Sequence, residues 1–171
     1  MRAAAWWSLV AFALLVSCAD PHRLRDAGDG SVIKSSGDLK VMLLLTDDLN
    51  EIQQRWAQPN SPTLDPINAA RVGEPVYAVL IFTGCAADPS GNCRLVADIT
   101  FTDPEGLAFK SAHDRPVCLG APPPYGQLQL AQEATSATVT HGPRGTYTVS
   151  VSVHDRVLST GLDLETSFLL H

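Results

Sequence analysis

The sequence lacks an apolar stretch of the roughly 20 residues that a membrane-spanning helix needs. Its longest such run, residues 3–16, is apolar apart from Ser8 and has no stop-transfer flank. Aromatic residues make up only 6% of the chain, against 12 glycines and 12 prolines, so strands and turns are favoured over a helical bundle. Cations are also few: 12 Lys and Arg against 18 Asp and Glu leave a net charge of -6, which repels phosphate backbones and excludes nucleic acid as an expected partner. What remains is a chain of 171 residues with a 45% hydrophobic share, enough for one domain around one core.

Chemical motifs are equally scarce. The histidines at positions 22, 113, 141, 154 and 171 show no metal-ligand spacing, although His154, at the exit of a predicted strand, could oppose His141. The carboxylates are scattered, with no close pair on a rigid platform to act as acid and base. Ser35, Ser36 and the other serines lack the strand-turn-helix context of a nucleophile elbow. The expectation is therefore a protein with no catalytic residues, no cofactor and no metal site.

The N-terminus carries the most specific signal. Arg2 precedes the apolar run, and the small residues Ser17, Cys18 and Ala19 follow it, which is the layout of an export signal. Leu15, Val16, Ser17 and Cys18 resemble the lipobox of bacterial lipoproteins. The resemblance implies cleavage before Cys18, lipidation of that cysteine, and acyl chains that hold the new N-terminus in a membrane. Because Ala19 rather than Asp follows the cysteine, it further implies the outer membrane, with the protein facing the periplasm. The alternative is ordinary cleavage after Ala19 and a soluble periplasmic protein. Loss of Arg2 with the leader would shift the net charge from -6 to about -7. Residues 18–37 then read as the lipidated cysteine and a Gly, Ser, Asp and Arg-rich tether, long enough to hold a domain ~25 Å from its anchor.

From residue 38 onward the pattern is of strands. Tyr147, Val149, Val151 and Val153 alternate with Thr148, Ser150, Ser152 and His154 behind the turn residues Gly142, Pro143 and Gly145. Leu39, Val41, Leu43 and Leu45 give a first strand, and Thr46 or Asp47 is expected to cap a short helix that ends near Trp56. Residues 60–74 read as a long connection, with Trp56 folded over the end of the core. Residues 76–82 are apolar throughout and are expected to pair as a hairpin with the alternating residues 95–101. A type I turn is expected at residues 103–106, then a short strand at 107–110, and an irregular loop at 111–125. In that loop Pro122, Pro123 and Pro124 favour an extended polyproline form, which Tyr125 could complete as a recognition face. Two short strands follow around Leu128–Leu130 and Ala137–Val139, and a closing strand carries Leu162, Leu164, Thr166, Phe168 and Leu170 inward.

Seven to eight short strands without a long helix make the expected fold all-β, a sandwich at residues 38–171 behind a signal peptide at 1–17 and the tether. Gly145, Tyr147 and Val149 resemble the entry to strand F of immunoglobulin-like domains, where a tyrosine hydroxyl bonds upstream backbone. Val149 stands where antibody-type domains have their second inter-sheet cysteine, so the resemblance implies an immunoglobulin-like sandwich without that bridge. Gly84 with Cys85, residues 91–93, 103–106 and 145–155 are also similar to uncharacterised exported bacterial proteins, which have no activity to lend.

With Cys18 lipidated, Cys85, Cys93 and Cys118 remain, an odd number in an oxidising compartment. The expected bridge is Cys85–Cys93, at the facing ends of the hairpin, with Cys93–Cys118 as the rival pairing and Cys118 the possible free thiol. The functional expectation is an exported, lipid-anchored module that binds an envelope protein or glycan and touches the membrane through its N-terminal lipid. Two alternatives stand beside it: an envelope protease inhibitor or enzyme accessory subunit that presents residues 111–125 or 86–92, and a small enzyme using Cys118 or a metal on His141 and His154.

Overall fold

The computed structural model describes residues 30–58 and 63–171. The expectations for the signal peptide, for Cys18 and for most of the tether lie outside the described residues. Two sheets of five strands stack face to face as a β-sandwich. The first contains β1 (Ser31–Ser36), β2 (Leu39–Thr46), β4 (Pro75–Thr83), β7 (Gln129–Leu130) and β8 (Thr135–Thr138), the last two both paired to β4. The second runs β3 (Ala69–Ala70), β10 (Thr160–Leu170), β9 (Gly145–Asp155), β5 (Leu95–Thr102) and β6 (Ala108–Cys118). Among the described residues ten strands thus stand where seven to eight were expected, two of them only two residues long.

Pairing follows the immunoglobulin-like plan. β9 and β10 form the long antiparallel hairpin, β5 lies on the other side of β9, and β3 adds in parallel to the end of β10. Alternation on β9 is complete: Tyr147, Val149, Val151 and Val153 are buried, and the residues between them are half-buried or exposed. Together with Phe82, Phe101, Phe168 and the inward leucines of β2 and β4 they fill the space between the sheets.

A second cluster explains why β2 and β4 are apolar on both faces. The helix α1 (Leu49–Trp56) lies over the outer side of the first sheet, where Ile52 packs with Leu44, Val79 and Ile81. Trp56 joins this outer cluster and does not fold over the end of the main core. The helix is capped by Asp48, whose side chain accepts the Glu51 amide at 3.0 Å, while Thr46 Oγ1 accepts the amide of Asp48 one step earlier. Asp48, rather than Thr46 or Asp47, is therefore the cap.

Four other expectations are corrected. Residues 31–36 are not tether but the edge strand β1, in register with β2, so the sandwich includes residues ahead of 38. Its faces are unequally polar and Ile33 is exposed, which hides the strand from a test of apolar periodicity. Residues 76–82 and 95–101 do not form a hairpin: β4 and β5 lie in different sheets, and the chain crosses the sandwich between them. The irregular loop expected at 111–125 is in its first half strand β6, whose three register shifts against β5 break the period of two. Asp114 and Arg115 on this outermost strand are the charges that sheets place on free edges to discourage pairing with another chain. Residues 69–70 of the expected long connection also pair, as β3.

Candidate functional site

The crossover from one sheet to the other begins at Gly84. A side chain there would meet the Asp38 carbonyl oxygen at 1.9 Å, and its φ of 77° is one that glycine adopts freely. The loop that follows is organised by Asp88. Its carboxylate accepts the Ser90 hydroxyl at 2.6 Å, the amides of Ser90 and Asn92 at 2.8 and 3.1 Å, and Arg94 Nε at 2.9 Å. The Ser90 hydroxyl first, and then Arg94 and the Asn92 amide, hold the Asp88 carboxyl well below the usual carboxylate range. A disulfide joins Cys85 to Cys93 across this loop, with the Cα atoms 6.0 Å apart. It therefore staples the passage between sheets, not the base of a hairpin.

Asp155 ties the same region to the β9–β10 turn. It is only 1% exposed; Oδ2 accepts the Ala86 amide at 3.0 Å, and Oδ1 accepts those of Val157 and Leu158 at 2.9 and 3.2 Å. The end of β6 arrives at the same place. Leu95 pairs with both Cys118 and Asp155, and the Cys93 amide donates to the Gly120 carbonyl at 2.7 Å. Cys118 is a free, buried thiol whose Sγ points at the Gly120 and Ala121 carbonyl oxygens, 3.7 and 3.8 Å away. The sulfurs of Cys85, Cys93 and Cys118 all lie within 4.8 Å of one another. No spacing in the sequence announces this cluster, because it depends on β6 reaching Cys118 and on the crossover ending beside it. A shallow cleft of about 280 Å³ over Cys93 is lined in part by Asp88, Arg94, Leu119 and Arg156.

Beyond Cys118 the chain leaves the sheet as a loop, residues 119–128, before β7. Gln127 donates to the Pro124 carbonyl at 2.9 Å, and Gly126 has a φ of 75°, so residues 124–127 make a turn with glycine at its third position, as a type II turn requires. Tyr125 occupies the tip and is 101% exposed, with Leu119 and Leu128, both more than half exposed, at the two ends of the loop.

The histidines are arranged differently from expectation. His154 does not oppose His141; its Nε2 lies 3.6 Å from Asp98 Oδ2, and His113 Nδ1 lies 3.5 Å from Asp98 Oδ1. His141 instead meets its neighbour Thr140. The Asp114 amide, donating to Asp98 at 2.8 Å, holds the Asp98 carboxyl below its ordinary value, and both imidazoles add to the effect. Next to this group, Ser152 and Ser150 bond Asp163 and Glu165, giving the outer side of the second sheet a polar, solvated surface. Asp114 also pairs with Arg156.

No known protein-family profile matches the chain, and no curated protein matches it. Among similar solved structures is a DNA-bound alkylpurine DNA glycosylase from Pseudomonas fluorescens, with 18% identity, 61% of this chain and 28% of that one covered, and a TM-score of 0.39. A family 123 glycoside hydrolase from Clostridium perfringens shows 13% identity over 82% of this chain and 27% of its own, with a TM-score of 0.41. The soluble domain of PmoD from Methylocystis sp. shows 10% identity, coverage of 81% and 96%, and a TM-score of 0.36. The chain spans less than a third of the first two proteins. Likeness at this level carries no functional argument.

Proposed function

We propose that this protein is exported, lipid-anchored at Cys18 in the bacterial outer membrane, and serves as a non-catalytic immunoglobulin-like module that binds an envelope protein or glycan. The observation that carries the binding reading is Tyr125, fully exposed at the tip of the loop after β6. A tyrosine presented in this way offers a large, amphipathic contact area with few side-chain torsions to freeze. Pro122, Pro123 and Pro124 before it restrict the loop in the free protein, which lowers the entropy lost on binding. The anchoring half of the proposal rests on the lipobox resemblance of residues 15–18, and the disulfide suits an oxidising compartment.

The test separates the two halves. Cys18→Ser should move the protein from the membrane to the soluble fraction, and an unchanged distribution would overturn the lipoprotein assignment. Tyr125→Ala in the anchored protein should leave folding intact and abolish recovery of the partner captured by the wild-type chain; equal recovery would overturn the loop as the contact. The same exposed loop favours an envelope protease inhibitor or accessory subunit as a second reading. That reading expects the captured partner to be an enzyme whose turnover changes on addition of the wild-type protein but not of the Tyr125→Ala variant.

A further inference from the structure

Outside the loop just described, the cluster of three sulfurs is the strongest concentration of ligating atoms among the described residues. Cys85 is 7% exposed, Cys93 0% and Cys118 1%, so the cluster sits inside the protein at the edge of the main core. Three cysteines around one point exceed what a single bridge uses. We propose that the chain, once its Cys85–Cys93 bridge is reduced, binds one soft closed-shell cation of the Cu⁺ class through the thiolates of Cys85, Cys93 and Cys118.

Geometry and scaffold both support this site. A metal–thiolate bond of about 2.3 Å places three sulfurs in a trigonal set ~4 Å apart; the Cys118 sulfur already lies within 4.8 Å of both bridged sulfurs, which move apart once the bridge is reduced. The backbone that carries them is held independently of the bridge. Cys118 is fixed by its pairing with Leu95 and Cys93 by its amide on Gly120, and Cys85 by the Ala86 amide on Asp155 and the close seat of Gly84 on Asp38. Reduction thus frees two sulfurs without removing their supports. The cleft lined in part by Cys93 brings the protein surface to that residue of the cluster.

The ligand set also selects the cation. Thiolates favour Cu⁺ and Zn²⁺ over harder ions. Structural zinc sites are almost always four-coordinate, and the described residues gather three ligands here, with no histidine or carboxylate in the group. Three buried thiolates without a fourth partner suit Cu⁺. A dithiol reductant gives two electrons and two protons to the bridge and leaves as its own disulfide, and the cation then displaces the protons of the three thiols. Bridge and metal are alternative occupants of one site.

The experiment uses the full chain with Cys18→Ser, so that only the three clustered cysteines carry thiols. The bridge is opened with a phosphine, which leaves as its oxide with oxygen and two protons supplied by water, and the protein is desalted without air. Cu⁺ is then added in competition with a chromophoric chelator, with native mass spectrometry for stoichiometry and circular dichroism for the fold. The reduced protein should take up one Cu⁺ with its β-sheet signal intact, and the oxidised protein none. Cys118→Ser and Cys118→Ala should each weaken binding by about tenfold or more. The proposal is overturned if the folded, reduced chain takes up no Cu⁺, if uptake accompanies loss of the sheet signal, if the oxidised protein binds equally, or if a folded Cys118 variant binds as tightly as its parent.

Discussion

Tyr147 offers a graded test of the sandwich, because one side chain combines a hydrogen bond, two ring contacts and complete burial. Its hydroxyl donates to the Pro143 carbonyl at 2.9 Å, its ring stacks on Phe168 with centroids 5.4 Å apart, and Phe109 meets it edge-on at 5.6 Å. Tyr147→Phe removes only the hydrogen bond, and because Pro143 is exposed its carbonyl can turn to water, so the cost should be about 0.5 to 1.5 kcal/mol. Tyr147→Ala also opens a cavity in the core and should cost about 3 to 5 kcal/mol. Thr148→Ala, on the opposite face of β9, should stay below about 1 kcal/mol. Gly142 gives an internal control: a Cβ there would lie 2.7 Å from the Tyr147 hydroxyl, so Gly142→Ala should displace that hydroxyl. In a Tyr147→Phe background the same substitution should cost less, and a double-mutant cycle from urea unfolding measures the difference. Equal losses at Tyr147 and Thr148, or strictly additive effects of Gly142→Ala and Tyr147→Phe, would refute the reasoning.

Three further outcomes are expected. Replacing Cys85 and Cys93 together by Ser should cost about 2 to 3 kcal/mol, since the bridge closes a short loop, and peptide mass spectrometry without reduction should recover Cys85 linked to Cys93 from the parent protein. Ile52→Ala should cost about 2 to 4 kcal/mol in thermal or urea melts by emptying the cluster between α1 and the first sheet, although no part of the inter-sheet core is touched. The folded protein holds the Asp88 carboxyl below its ordinary value, so its contribution is complete above about pH 4 and is lost as the pH falls below that; the acid limb of a stability profile should therefore flatten in Asp88→Asn, and an unchanged limb would remove Asp88 from this role.

How far the sequence discloses the fold depends on which residues carry the pattern. β9 is legible because its inward residues alternate without interruption from Tyr147 to Val153, and the turn glycines mark its start. The partners of β4 are not legible. An apolar run such as residues 76–82 is compatible with any neighbour, and it was the helix over the outer side of the sheet, not a hairpin partner, that required its double-sided character. β6 escapes detection for another reason: Asp114, with a φ of 53°, and the register shifts around it rotate the side chains out of phase. The consequence reaches the candidate site, because a strand that ends at Cys118 is what delivers the third sulfur to the other two. Tyr125 was visible as an aromatic beside three prolines, but its full exposure follows from the turn at residues 124–127, which only the backbone reveals.

Photo-crosslinking in intact cells tests the binding claim most directly. A photoreactive residue in place of Tyr125 is compared with one in place of Leu158, which is also exposed and apolar, at 59%, but belongs to the turn between β9 and β10. Irradiation should give one discrete envelope adduct from position 125 and none of that mass from position 158. No adduct at 125, or the same pattern from both positions, would contradict a binding module that acts through this loop.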